Sequence, residues 1–296
     1  MDDEVRRIIE RAVGAIGPAR WRDLGATGRA HAFALEASNA RTFVKIGEAV
    51  RVADMLDCEA DGLRAIRGTR TVRVPEVVAT GRAGGCAFLA LEWLEMTAGS
   101  GGAALGCALA RLHAIPAPGD PHGGRFGWHR DNWIGGTPQQ NGWCEDWCGF
   151  FAQRRLAPQL ARAAANGFEN ALGDDGQRVL AALPNLLRGH APAASLVHGD
   201  LWSGNAASLA NGEPVVFDPA VHIGDRETDL AMAELFGGFD GAFFRSYREA
   251  WPCADGYERR RDVYQLYHLL NHLNLFGAGY LSRARRSTQR ILAAAR

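Results

Sequence analysis

Leu196-Val197-His198-Gly199-Asp200-Leu201-Trp202-Ser203-Gly204-Asn205 is the stretch on which the fold turns. An apolar run closing on His-Gly-Asp reads as a short buried strand that opens into a loop, with an acid and an amide five positions apart. Eighteen residues beyond Asp200, a second apolar run, PVVFD (214–218), ends in Asp218. Phosphoryl transfer requires a carboxylate to accept the attacking hydroxyl's proton, and an Asn and an Asp to hold Mg²⁺ against the phosphates. Asp200, Asn205 and Asp218 offer those groups in that order. An Asp after a strand is, taken alone, a turn or a cap; the ordered set on one strand–loop–strand element carries the reading. His198 is expected to be a structural hydrogen-bonding residue of the loop, since Asp200 fills the base role.

Upstream, Trp21 to Leu94 reads as short extended runs: HAFALEA (31–37), RTFVKI (41–46), TVRVPEVVAT (71–80) and, after a turn at Gly84-Gly85, CAFLALEWL (86–94). One helix interrupts them from about Val50 to Arg67, with Met55, Leu56, Leu63 and Ile66 at helical spacing and Gly68 as its expected terminator. Lys45 sits on a strand, as a phosphate-binding lysine must, and Glu59 is its expected partner on the following helix. Gly25-Ala26-Thr27-Gly28-Arg29 precedes that strand, and by position Gly25 and Gly28 are the candidates for a phosphate-covering loop. Leu91, Glu92, Trp93 and Leu94 join the two halves, where backbone groups can read an adenine edge; Trp93 has a core role as its alternative.

Downstream the texture turns Ala- and Leu-rich, with helices predicted over 103–114, 144–166, 175–188, 228–236, 240–251, 256–276 and 283–295. The exception is 195–218, where SLVH (195–198) and PVVFD form two strands separated by the turn Asn211-Gly212-Glu213. The fold class is therefore α+β. A small antiparallel-sheet lobe with one main helix, 1–94, precedes a larger helical catalytic and substrate lobe, 95–296, and the His198–Asp218 layout matches the bilobal protein kinase-like fold. ATP is expected between the lobes.

Charge is balanced at 33 basic against 33 acidic residues, which leaves no footprint for nucleic acid or an anionic membrane. No apolar run approaches the ~20 residues that span a bilayer, and MDDEVRRIIERAV (1–13) has no signal-peptide pattern, so the expected location is cytoplasmic. Six cysteines at 58, 86, 107, 144, 148 and 253 lack the spacing of a zinc site or a disulfide scaffold and are expected to be reduced thiols. The expected partner is a small molecule, and the chain a monomer or homodimer.

Further blocks carry a family resemblance. Beside the His198–Asn205 segment stand Phe217-Asp218-Pro219-Ala220, then Gly224, Glu227, Asp229-Leu230-Ala231-Met232, and Leu235-Phe236-Gly237-Gly238-Phe239. Asn132-Trp133-Ile134-Gly135-Gly136-Thr137-Pro138-Gln139 and the helix Tyr264 to Gly277 extend the likeness over nearly the whole chain. Together they resemble the fructosamine kinase (ketosamine-3-kinase) family, of the aminoglycoside phosphotransferase-like branch of the protein kinase-like fold. The resemblance implies transfer of the ATP γ-phosphate to the third hydroxyl of a ketosamine, free or on a glycated protein, in deglycation or metabolite repair. It also implies a preference for ribulosamines and erythrulosamines, as in bacterial relatives. Family members often carry a Gly-Gly-Cys-type phosphate loop, whereas Gly25–Arg29 has no cysteine, so redox control through this loop is not expected.

Trp202, directly after the base, can stack on a sugar face or pack beneath the loop. On the late helix His268, Asn271 and His272 are expected to face the cleft and bind the acceptor, with buried polar packing as the alternative. The alternative functions are a related aminoglycoside- or choline-type phosphotransferase, or a nucleotide-binding pseudokinase. Intact Lys45, Asp200, Asn205 and Asp218 weigh against the last of these, and the lack of an Ala-Pro-Glu segment after Asp218 weighs against a protein kinase.

Overall fold

The computed structural model describes residues 2–97, 99–116 and 125–295. The first helix, α1 (Asp3–Ala12), begins at Asp2, whose carboxylate accepts the Glu4 N–H at 3.0 Å. Strands β1 (Arg20–Thr27), β2 (Ala30–Glu36) and β3 (Arg41–Glu48) lead into α2 (Ala49–Thr69), followed by β4 (Val77–Ala83) and β5 (Cys86–Glu92). The five strands form one antiparallel sheet in the order β1-β2-β3-β5-β4. The run CAFLALE is apolar throughout because both of its faces are covered. Ala87, Leu89 and Leu91 join the cluster of α2's Val52, Leu56 and Leu63, while Phe88 and Ala90 join α1's Val5 and Ile9.

Two sequence expectations fail locally in this lobe. Gly68 does not stop α2, which runs on to Thr69; the cap is Arg70 in a left-handed conformation, φ 57°, with its N–H on Arg67 O. Residues 71–80 form a strand only from Val77, because Pro75 has no N–H for a ladder. Arg73 instead makes a lone parallel bridge to Val215 in the other lobe.

The second lobe opens with β6 (Met96–Thr97) and α3 (Gly102–Ala114), then a hairpin of β7 (Asn132–Ile134) and β8 (Thr137–Gln139). Helices α4 (Trp147–Phe151), α5 (Ala157–Ala163) and α6 (Glu169–Leu186) follow. Next come β9 (Ala194–Val197), β10 (Ala206–Leu209), β11 (Pro214–Val216) and β12 (His222–Asp225). Four helices close the chain: α7 (Glu227–Leu235), α8 (Gly241–Ala250), α9 (Tyr257–Phe276) and α10 (Leu281–Ala294). The helix predicted over 144–166 is α4 and α5 joined by a wider π-type turn at 152–156, and a second such turn at 164–168 contains Gly167 at φ 88°. α6 starts six residues earlier than the predicted 175. Gly176, inside this helix, serves packing: a Cβ there would lie 2.6 Å from Leu160.

Both predicted strands around the Asp200 loop exist, but they do not pair with each other. β9 pairs with β12, while β11 pairs with β10, and β10 with β6. The β7–β8 hairpin, three residues a side, is too short for a periodic signal. One apolar cluster joins the lobes, running from Leu56 and Leu63 of α2 through Leu91 to Leu105 and Leu112 of α3 and Phe243 of α8. α3 and α8 approach so closely that a Cβ on Gly106 would lie 2.3 Å from Phe243 O. The architecture is a small antiparallel-sheet lobe over a larger, mostly helical one, the bilobal kinase-like arrangement expected from the sequence.

Candidate active site

Lys45 lies on the central strand β3 and is buried, with its ammonium held from both lobes. Its Nζ donates to Glu59 Oε1 and Oε2 of α2 at 2.8 and 2.9 Å, and to Asp218 Oδ1 at 2.7 Å. Burial alone would favour the neutral amine. The facing Asp218 and Glu59 carboxylates more than offset it, and the lysine pKa is held above its ordinary value. Glu59 is pushed upward by its own burial and by the Asp218 charge, against the pull of Lys45. Asp218 has φ 54°, a left-handed backbone that side chains other than Asn, Asp and Gly seldom adopt.

Asp200 follows β9, and Asn205 closes the loop that it opens. Asn205 Nδ2 donates to the Asp200 carbonyl at 2.9 Å, so the amide oxygen is the donor this side chain can offer a cation. Asp200 is pushed up to about 7, first by burial and then by the charges of Asp218 and Asp229, with the Asn205 hydrogen bond opposing. His198 Nδ1 accepts the Asp200 N–H at 3.3 Å, and its Nε2 then donates to Phe217 O at 3.0 Å. Burial first, with Asp229 opposing, holds the ring below its ordinary pKa, so it is a neutral strut between loop and strand. Gly199, at φ 82°, passes so close to the next loop that a Cβ would lie 2.1 Å from Ala220 O.

Asp229 of α7 supports this loop from beneath, and the sequence reading gave it no role. Its carboxylate accepts the backbone N–H groups of His198 at 2.7 Å and Gly199 at 2.9 Å, and His113 Nε2 lies 3.1 Å away. Burial would raise its pKa, but the His113 contact and the loop donors outweigh that and hold it ionised. A signal existed: an acid directly before the apolar run Leu230-Ala231-Met232, where only internal donors could satisfy it.

Two cavities meet at Lys45 and Asp218. One of about 440 Å³ lies against the connection between the lobes, lined by Phe43, Pro75, Leu91, Trp93, Leu94 and Phe217. The other, about 210 Å³, is lined by Gly28, Glu59, Trp133, Gly135, Asp200 and Asn205. Thr27, Lys45 and Asp218 border both. Gly28 is in the tight turn from β1 to β2, at φ 59°, and Gly25, at φ 94°, takes a bulge earlier in β1 with its N–H on Asp23 Oδ1 at 2.7 Å. Glu92 lines the first cavity, with its carboxylate turned to Arg73 and the Glu76 N–H and its own backbone N–H donated to Glu76 O at 2.8 Å. Trp93 is not a core residue: its indole N–H donates to Glu95 at 2.8 Å and the Arg41 guanidinium stacks 3.7 Å from the ring centroid.

Trp202 is 40% exposed, and its ring covers Gly204 so closely that a Cβ there would lie 2.2 Å from the indole. His268, Asn271 and His272 line neither cavity, which corrects the expectation that they face the cleft. α9 is enclosed by α5, α7 and α10, and its polar residues are used in packing. His268 is buried, its Nδ1 unpartnered, beside a void of about 10 Å³ behind Gly199; burial pushes its pKa down to about 3. Asn271 Oδ1 accepts from Gln159 at 3.2 Å, and His272 Nδ1 donates to His268 O at 2.9 Å, its ring 4.5 Å from that of Phe236. Among the described residues no helix is long and apolar enough to cross a membrane.

The sequence model of the family described as Fructosamine kinase matches residues 1–294. A Synechocystis protein named a probable ketoamine kinase is 44% identical over 254 residues, covering 84% of this chain and 82% of that protein. The chloroplastic protein-ribulosamine 3-kinase of Arabidopsis thaliana is 40% identical over 244 residues, 82% of this chain and 73% of that one. Among solved structures, one from Thermobifida fusca, provisionally named a fructosamine-3-kinase, is similar with a TM-score of 0.84 at 31% identity, covering 99% of each chain.

Proposed function

The chain belongs to the fructosamine kinase family, and from that premise we propose that it transfers the γ-phosphoryl group of ATP to the 3-hydroxyl of a ketosamine. The observation that carries the reading is the Lys45 ammonium between Glu59 at 2.8 Å and Asp218 at 2.7 Å, at the junction of the two cavities. One cavity has the apolar walls and backbone edge that suit adenine, the other the acids that suit an alcohol acceptor. The phosphates lie at the junction, on Lys45 and under the Thr27–Gly28 turn.

Asn205 and Asp218 offer an amide and a carboxylate oxygen, the hard donors that Mg²⁺ takes alongside substrate phosphates. Held by these two side chains, Mg²⁺ would neutralise charge on the phosphates. Lys45, fixed by Glu59, holds the α- and β-phosphates so that the γ-phosphoryl group faces the acceptor side, and Asp200 orients the sugar hydroxyl and takes its proton. Charge develops on groups already fixed by Asp229, His198 and Asn205, so little reorganisation is left for the chemical step. Trp202 lines neither cavity and its ring lies over Gly204, so of its two expected roles the packing of the base loop is the one favoured. The names of the relatives support a ketoamine acceptor, and that of the Arabidopsis protein a protein-bound ribulosamine.

The test is Mg²⁺-dependent ADP release with ribulosamine, erythrulosamine, fructosamine, aminoglycoside and choline acceptors, beside Asp200→Asn. A ketosamine should stimulate release, and Asp200→Asn should lower turnover about 10²- to 10⁴-fold. Undiminished turnover in that variant removes Asp200 from the base role, and a response to choline or aminoglycosides alone removes the ketosamine.

A further inference from the structure

The position of α2 decides whether Glu59 reaches Lys45. Val52, Leu56, Leu63 and Ile66 pack the helix onto its sheet, but a second stripe is acidic: Asp54 and Asp61 are two turns apart on one face, with Cys58 between them. That stripe meets residues 128–133 of the other lobe. Trp128 Nε1 donates to Asp61 Oδ2 at 2.8 Å, and His129 Nε2 lies 3.2 Å from the same oxygen. Arg130 and Trp133 Nε1 both donate to Asp54 at 2.7 Å, and Cys58 Sγ lies 3.5 Å from Asp131 O.

The segment is anchored beneath by buried amides. Asn132 Nδ2 donates to Val221 O at 2.7 Å, and Gln139 Nε2 and Asn141 Nδ2 each donate to Asn132 Oδ1 at 2.8 Å. Its tip reaches the phosphate turn as well, with the Arg29 guanidinium 5.8 Å from the Trp133 ring centroid and a Cβ on Gly136 only 3.0 Å from Arg29 Nε. The Asp54 carboxylate is 61% exposed, so its ion pair with Arg130 adds little alone. The two indole donors give direction instead, since each presents one N–H on a bulky ring, and Trp128 is buried.

We propose that residues 128–136 form a clamp that holds α2 and the β1–β2 turn in their assembled position, with Asp54 and Asp61 as positioning residues acting through Glu59. This rests on the phosphotransfer reading above. Protein kinases set the corresponding Lys–Glu pair by ordering an activation segment; this chain has no Ala-Pro-Glu segment after Asp218, and the clamp makes the pair permanent. No activating modification is then required.

The experiment measures kcat, KM for ATP and the Mg·ATP Kd for wild type, the Asp54→Ala/Asp61→Ala pair and Trp133→Phe, each also in a Glu59→Gln background. The Asp pair should lower kcat/KM for ATP about 10- to 100-fold with the circular dichroism spectrum unchanged, and Trp133→Phe should shift it the same way by less. In Glu59→Gln the same substitutions should cost less than about twofold, the non-additivity of residues acting through one another. Equal losses in both backgrounds, or none in either, overturn the clamp. If wild type releases no ADP with any acceptor, the phosphotransfer reading falls instead, and the Mg·ATP Kd across the same variants still decides whether the clamp exists.

Discussion

At the scale of single residues the site is governed by the burial of Asp200 and by two neighbouring carboxylates, Asp218 and Asp229, which together raise the cost of ionising it. A base must be deprotonated to act, so the sign is fixed. With Asp200 held near 7 in the free protein, kcat/KM should rise with pH through about 7, falling about tenfold per unit below it. The kcat profile, which reports the loaded complex, should have this limb at lower pH, because a cation on Asp218 cancels one of the charges responsible. Parallel pH profiles of kcat/KM and kcat check this; a flat profile between pH 5 and pH 8 would take the proton transfer away from Asp200. The same carboxylate opposes folding as pH rises, since its folded pKa lies above the ordinary 3.8: the cost sets in from about pH 4 and is complete above about 7.

At the scale of elements, two close approaches depend on glycine. α3 crosses α8 where Gly106 leaves no room, with the Phe243 carbonyl 2.3 Å from any added Cβ. Gly106→Ala should cost about 1–3 kcal/mol, read as a Tm lowered by roughly 2–4 °C per kcal/mol, with kcat retained because neither cavity is lined by these helices. A Tm at or above wild type would mean that the helices can part. Elements also divide what sequence could reveal from what it could not. Long amphipathic helices and the alternating β3 run are legible because their periodicity is written in side chains, and β5 because an unbroken apolar run follows the Gly84-Gly85 turn. The Asp200–Asn205 loop was legible because its chemistry is local in sequence. The β7–β8 hairpin was not, since three-residue strands carry no period. Asp229 was missed because its partners, two backbone N–H groups 31 and 30 residues away, leave no trace in spacing. α9 misled because its alternation of Leu with His and Asn suggests one polar face, whereas Gln159, His268 O and neighbouring helices enclose that face too.

At the scale of the molecule, the shared apolar cluster from α2 to α8 argues against independent lobes. Thermal unfolding followed by calorimetry, tryptophan fluorescence and far-UV dichroism should therefore give one coincident transition. Mg·ADP at about 100 times its Kd should stabilise the whole of it by about 2.7 kcal/mol; two transitions, only one of them moved by nucleotide, would show that the lobes melt separately. The bridge from Arg73 to Val215 bears on recombination. A chimera that joins residues 1–94 of one relative to the remainder of another cuts through Arg73 and Val215, through the clamp on α2, and through the partners of Lys45. Exchange between relatives is therefore not free at the visible waist of the molecule: the first lobe travels intact only with the 128–136 and 214–218 segments of its own parent.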